Sequence, residues 1–369
     1  MPTSKKIPEL INNQKDLDAL CKIISANDYI AIDTEFLRTN TFAPKLGLLQ
    51  LHTVDQISCV DPLVDMNMQE LWELIFDPKR MCIFHSAKQD MEVIWFEQNA
   101  LVGQLIDTQI CAGLLGHPAQ IGYAGITADL LNINISKSQT RTDWCRRPLS
   151  KDQLEYALED VKYLPKLHEI LFQKLRELGR SEWAVEDSSA LLNHKLYQPD
   201  TEMAWKRVKS IPFLPLDQQA RARAIAALRE HLALKSNQPR QWILSDKALI
   251  QIAQENPSTE ESLLRIKYLS SDVTRNHGQS ILASINAANQ SYAIGELNFQ
   301  QLKPERDQDK SKYRKLSSIV KDKAEQLAIS SEVIASKRDI QALLRNDPQC
   351  RLTRGWRKEI VGDELISEI

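Results

Sequence analysis

The stretch YIAIDTEFLRTNTFAPKLGLLQLHTVDQISCVD, residues 29–61, decides the fold. It contains three short apolar runs, 29–33 (YIAID), 46–53 (LGLLQLHT) and 57–61 (ISCVD), each rich in Ile, Leu and Val and separated by polar residues. Such runs read as strands. Downstream the pattern changes to a helical stretch at 67–76, a strand MCIFH at 81–85, a helix from about 87 to 98, a strand QLID at 104–107 and a helix at 108–115. Three adjacent strands followed by alternating strand and helix predict one mixed sheet flanked by helices.

Residues 117–149 are richer in polar and turn-forming residues. Ser150 then stands as an N-cap, Gln153 completes a capping box, and Leu154, Leu158, Val161, Leu164 and Leu167 follow at helical spacing, predicting one long amphipathic helix. Past 197–200 strand signals almost vanish. Helical periods at 216–234, 246–255, 259–266 and 276–289 predict an all-helical unit near 205–292. The charged stretch KPERDQDKSKYRK (303–315) is either an exposed linker or the start of a helix, and a third helical unit closes the chain.

The length of 369 residues leaves room for two or three domains, and 43% hydrophobic with 26% charged residues excludes collagen-like and low-complexity classes. A net charge of −2 offers no invitation to nucleic acid, but that figure is a cancellation. Residues 1–200 carry 20 Lys/Arg against 28 Asp/Glu (−8), and residues 201–369 carry 27 against 21 (+6). The asymmetry predicts different tasks for the two parts. Six scattered cysteines without a C-x-x-C pair indicate neither a zinc ribbon nor a disulfide framework. No apolar run reaches membrane-spanning length and the first residues lack a signal peptide's apolar stretch, so the expectation is a soluble protein of the cytoplasm.

Pairs of the form D-x-E carry little weight alone, since 25 Asp and 24 Glu predict about 1.6 of them by chance. Three occur: Asp33/Glu35, Asp90/Glu92 and Asp200/Glu202. Only the first follows a strand, where alternation projects residues i and i+2 from one face, and two such carboxylates repel unless a cation lies between them. An exposed strand end is the plainer alternative. Asp90 falls in the first turn of the helix after MCIFH, where capping is the plainer reading. In a mixed sheet, however, that strand could lie beside the first and bring Asp90 toward Asp33. Tyr156 and Asp160, four apart on the capped helix, share one face.

In the order Asp33, Glu35, Asp90, Tyr156, Asp160 these residues resemble the catalytic set of the DEDDy branch of 3′–5′ exonucleases. IDTEFLR (32–38), FHSAKQDMEV (84–93), IDTQICAGLLG (106–116) and RTDWCRRPLSKDQLEYALEDVKYL (141–164) resemble the ribonuclease D family. ALREHLA (227–233), ILSDKALIQIA (243–253) and LTRGWRKEIVG (352–362) resemble the helicase-and-RNase-D C-terminal (HRDC) module, the last as a more divergent copy. The resemblance implies a ribonuclease H-like mixed sheet flanked by helices over 1–198, then two small all-α HRDC-type domains at 205–292 and 300–369.

It further implies two-metal hydrolysis of phosphodiesters by a monomeric enzyme. Positions matching Asp33, Glu35 and Asp160 hold one divalent ion, Mg²⁺ or Mn²⁺; Asp33 bridges to a second, which Asp90 supports through water, and Tyr156 with Glu35 orients the attacking water. The substrate it implies is RNA, tRNA precursors above all, trimmed to nucleoside 5′-monophosphates. Family position makes Lys137, Arg141 and Arg147 candidates for phosphate contacts and Phe36 and Trp144 candidates for stacking on terminal bases, with solvated charge and a core anchor as the respective alternatives. Phe42 stands where the family often has Tyr, and Asn132 where Gly is common. His85 reads as a strand-end hydrogen-bonding residue, because no second His or Cys has ligand spacing around it. Lys206, Arg207, Lys209, Arg221, Arg223 and Arg229 offer a basic face that could track phosphates.

Two rivals remain. The same chemistry could act on DNA, although no G-x-x-x-x-G-K-[ST] loop marks a linked helicase. A non-catalytic RNA-binding scaffold has no need to hold four carboxylates together.

Overall fold

The computed structural model describes residues 9–54, 56–135, 142–296 and 307–369. Among these it forms two compact units: one from the residues up to 37, from 45–197 and from 306 onward, the other from 38–44 and 198–305.

The first unit is built on a six-stranded sheet. Its strands are β1 (Leu10–Ile11), β2 (Tyr29–Leu37), β3 (Lys45–His52), β4 (Ile57–Val60), β5 (Met81–Phe84) and β6 (Gln104–Asp107), in the order β1-β4-β3-β2-β5-β6. β2, β3 and β4 pair antiparallel, whereas β1, β5 and β6 join in parallel, giving the mixed sheet that the sequence predicts. β2 runs on to Leu37, beyond the expected end at 33, because its pairing with β3 continues to Leu37 opposite Lys45. Asp33 and Glu35 therefore stand within the strand and not at its end.

One face of the sheet is covered by α1 (Gln14–Ser25), α2 (Gln69–Phe76) and α3 (Lys88–Gln98), whose Leu17, Leu20, Leu71, Ile75 and Met91 share a core with Ile30, Ile32, Leu49 and Leu51. Beyond β6 follow α4 (Thr108–Leu114), α5 (Tyr123–Leu131), α6 (Lys151–Lys162), α7 (Leu164–Glu177) and α8 (Ser181–Ser189). α6 and the start of α7 cover the opposite face: Val161 and Leu164 meet Ala31 and Ile83, and Ala157 meets Leu48 and Cys59.

The capping box at Ser150 and Gln153 forms as the sequence predicts. The single long helix does not. Pro165 has no N–H to give the carbonyl of Val161 four residues back, and the helix breaks at Tyr163. His52 Nδ1 donates to that carbonyl at 3.1 Å, while the Tyr123 hydroxyl donates to Glu159 O at 2.9 Å and accepts from Tyr163 N at 3.0 Å. The break is thus paired with side chains from β3 and α5.

The second unit holds α9 (Leu216–Ser236), α10 (Arg240–Ile243), α11 (Asp246–Glu255), α12 (Glu260–Leu263) and α13 (Ser271–Ala293). The segment 38–44 belongs with it. Ala43 N donates to Asn237 Oδ1 at 3.0 Å, and the buried Phe42 ring lies 4.2 Å beneath the Arg240 guanidinium. The basic face expected on α9 is largely spent inside this unit. Arg221, 6% exposed, bonds Asp217, Ala253 O and Asn289, and Arg229, 3% exposed, bonds Asp246 and Leu244 O. Arg223 lies 3.9 Å over the Trp205 ring. Lys206, Arg207 and Lys209 remain exposed.

The last segment comprises α14 (Asp307–Leu327), α15 (Ser331–Ile334), α16 (Lys337–Leu344) and several further turns, and it does not stand apart as a third body. Leu316, Val320, Ile340, Leu352 and Trp356 form one core with Ile106, Cys111, Leu114, Leu167 and Leu171. Trp356 stacks on Trp183 with centroids 4.5 Å apart, and the Arg357 fork grips both oxygens of Asp187. Among the described residues no helix is long and apolar enough to cross a membrane.

Candidate active site

Strand alternation puts Ala31, Asp33 and Glu35 on the face beneath α6, with Ile30, Ile32 and Thr34 on the other. α6 brings Asp160 onto the same spot, so that carboxylate oxygens of Asp33, Glu35 and Asp160 lie within 4.8 Å of one another. One turn earlier, Tyr156 hydrogen-bonds Asp160. Asp90 arrives from α3 because β5 lies parallel beside β2, Ile83 opposite Ala31. Its Oδ1 accepts from Thr34 N at 3.1 Å and from Thr34 Oγ1 at 2.6 Å. That contact adds to the bond the carboxylate keeps to its own backbone N–H in the first turn of α3, and it places the carboxylate one residue along the chain from Asp33.

Asp90 is buried, Asp33, Glu35 and Asp160 are half-buried, and each is pushed up in pKa. Burial is the first cause throughout. Glu35 rises to about 8, with the charges of Asp160 and Asp90 adding to burial. Asp90 rises to about 7 despite the opposing hydrogen bonds of Thr34, and Asp160 to about 7 despite that of Tyr156. Asp33 is raised well above the ordinary range by burial and by Asp90, Asp160 and Glu35 together. The Tyr156 phenol is pushed up by burial and by the Asp160 and Glu35 charges, so it is a proton donor at neutral pH. A group of oxygen donors this close repels itself when empty, and divalent hard cations relieve that repulsion. The donor set therefore fits Mg²⁺ or Mn²⁺.

The loop ahead of α6 fixes this helix over the sheet. Gly47 is the extra residue of a bulge where Glu35 faces Leu48 but Phe36 faces Leu46. A Cβ there would stand 2.8 Å from the Trp144 carbonyl oxygen, so only glycine lets the loop lie this close. Trp144 is 2% exposed, packed with Leu48, Cys59 and Ala157, and its ring stands 6.0 Å from that of Tyr156. The structure thus assigns it to the core and not to stacking on RNA. Arg147 is likewise corrected. Nε and Nη2 hold both oxygens of buried Asp61, Nη1 reaches the carbonyls of Trp144 and Arg146, and Nη2 also reaches Gly47 O. These five bonds use all five donors of a guanidinium, leaving none for phosphate.

Of the other expected RNA contacts, Phe36 is partly exposed and packed against the core under β2, while Lys137 and Arg141 lie outside the described residues. His85 bonds Thr108 Oγ1 and Ile121 O, each at 2.9 Å, as the strand-end reading expects. Sequence reasoning missed three residues. Thr34 orients Asp90; Asp107 caps α4 and accepts from Ser86 N and Ala87 N ahead of α3; Gln50 is the cross-strand partner of Asp33. Thr34 sits between the two acids of IDTEFLR, and that position was the available signal.

Comparison with known proteins identifies the family. Residues 8–176 match a 3′–5′ exonuclease family model, residues 218–285 an HRDC domain model, and residues 308–365 a model for the C-terminal HRDC domain of ribonuclease D. Ribonuclease D of Gluconacetobacter diazotrophicus is 32% identical over 98% of this chain and 92% of its own. That of Zymomonas mobilis is 32% identical over 99% and 94%. The crystal structure of Escherichia coli RNase D, an exoribonuclease involved in structured RNA processing, superposes with a TM-score of 0.88 at 28% identity over 97% of both chains. The catalytic core of RRP6 from Trypanosoma brucei shares the fold, with a TM-score of 0.59 at 21% identity over 78% of this chain and 84% of that one.

Proposed function

Since the chain belongs to the ribonuclease D family of 3′–5′ exonucleases, we propose that it trims the 3′ ends of structured RNA, tRNA precursors among them, and releases nucleoside 5′-monophosphates. The observation carrying this reading is the convergence of Asp33, Glu35 and Asp160 within 4.8 Å, with Asp90 against the same strand. Asp33, Glu35 and Asp160 would hold one divalent ion, and Asp33, supported by Asp90, would face a second. Two such ions supply an acidified attacking water and a counter-charge for the leaving 3′ oxygen.

The protein's own groups do the rest. Tyr156, held protonated, gives its one O–H to Asp160, and its phenol oxygen, fixed by that bond, accepts from the attacking water and orients it. Glu35 accepts from the same water and fixes its line of approach. Thr34 holds Asp90 in one rotamer, and the bond from His52 to Val161 O holds the end of α6 against the sheet that carries Asp33. Exposed Lys206, Arg207 and Lys209 of the second unit offer contacts to the RNA backbone, with binding that weakens as salt rises.

Full-length protein incubated with 5′-labelled RNA and Mg²⁺ should give a ladder shortening from the 3′ end, abolished by EDTA and reduced by at least about 10³-fold in Asp33→Asn. An unchanged rate in Asp33→Asn would remove the metal assignment. A matched DNA 3′ end run in parallel tests the substrate class: equal trimming of both would overturn the preference for RNA.

A further inference from the structure

Gln50 has an environment that the roles assigned so far leave unused. It lies in β3 directly opposite Asp33 in the antiparallel pair, and opposite Cys59 in β4 on its other side. Directly opposed residues in such a pair project from the same face with Cβ atoms about 4.5–5.5 Å apart. That face is the one α6 covers: Leu48 and His52, two residues either side of Gln50, pack under Ala157 and bond Val161 O respectively. The carboxamide is therefore enclosed between the catalytic strand, Cys59 and the helix bearing Tyr156 and Asp160.

It is also without partners among the described residues: Gln50 is 0% exposed, and neither Nε2 nor Oε1 has a hydrogen bond there. A buried amide normally satisfies both atoms, and one that does not asks what is missing from its surroundings. The neighbouring apolar groups, Leu48 and Cys59, give no reason to place an amide there. The residue directly across the strand pair is Asp33, whose charge is what a bound cation would restore.

From this the geometry points to Gln50 as a positioning residue for Asp33, an inference that rests on the metal-binding reading above. With the site loaded, Nε2–H donates to the Asp33 carboxylate and fixes its orientation, while Oε1 accepts from water held at the same site. In the metal-free chain the amide is a buried polar group without compensation. Fully enclosed, it touches no RNA. Hydrogen bonds to metal-binding carboxylates from such supporting groups typically change metal affinity by about 10- to 100-fold.

Gln50→Met keeps the volume and removes both polar atoms. The full chain is measured by Mn²⁺ titration calorimetry, by melting with and without Mn²⁺, and by RNA trimming across Mn²⁺ concentrations. The expected result is a metal-free melting temperature equal to or above the parent's, Mn²⁺ binding weakened about 10-fold or more, and a lowered kcat that rises again with added Mn²⁺ at unchanged KM for RNA. Parental Mn²⁺ affinity in Gln50→Met would overturn the inference, whatever happens to stability. Should that variant fail to fold, Gln50→Leu carries the same expectations. Asp33→Asn separates the two levels: if it loses Mn²⁺ binding while Gln50→Met keeps it, only the role of Gln50 falls, and if it too binds like the parent, the metal reading falls with it.

Discussion

At the scale of single residues, the site is a set of acids held in a place that resists their ionisation. Raised carboxyl pKa values mean that the metal-free folded chain binds protons which the unfolded chain releases near pH ~4. Its stability should therefore fall as pH rises from about 4 to about 8, and saturating Mn²⁺ should cancel that fall. The same protons must leave when the ion enters. Mn²⁺ affinity should climb between pH 6 and 8, with proton release at pH 7 that calorimetry in two buffers of different ionisation enthalpy measures directly. Equal affinity at pH 6 and 9 would contradict the raised values. Spacing alone placed Asp33 and Glu35 on one strand face and Tyr156 and Asp160 on one helix face, while their grouping with Asp90 came from the resemblance to the DEDDy set. Gln50 was not legible, since an amide inside LGLLQLHT looks like any polar interruption until β3 is set against β2.

At the scale of elements, strand and helix periods gave most boundaries to within a few residues, because each element buries one face. What the periods hid were long-range hydrogen bonds. The apolar spacing runs straight through Tyr163, yet Pro165 breaks the helix and His52 and Tyr123 take up the groups it frees. Basic residues were hidden in the same way, because charge alone does not distinguish an arginine facing water from one whose five donors are already spent, like Arg147. The meeting of β3 with the loop at 144–147 yields a sharp expectation. Gly47→Ala forces a Cβ against backbone atoms of Trp144, and overpacking of that kind costs roughly 1–3 kcal/mol. Chemical denaturation should register that loss together with reduced trimming, since the displaced loop leads into α6. A variant as stable as the parent would mean that the loop yields freely.

At the scale of the whole molecule, sequence order and spatial order disagree. The charge contrast of −8 and +6 divides the chain at residue 200, but half of the positive excess lies in the last segment, which folds with the nuclease. Counted over the two compact units, the charge is −5 (33 Lys/Arg, 38 Asp/Glu) and +3 (14 and 11). No periodicity could have disclosed this, because an apolar stripe does not say which partner covers it. Removing 307–369 would uncover Ile106, Cys111, Leu114, Leu167 and Leu171, so the shortened protein should bind a hydrophobic dye, melt at lower temperature and aggregate. A shortened protein that melts like the parent would show that the exonuclease core is complete without that segment. The shared core also bears on synthesis. Ribosomes deliver a chain from its N-terminus, so the surfaces on α4 and α7 wait for covering residues made roughly 140 to 250 positions later. A polypeptide abandoned on a broken message would carry every proposed catalytic acid and still lack a finished fold.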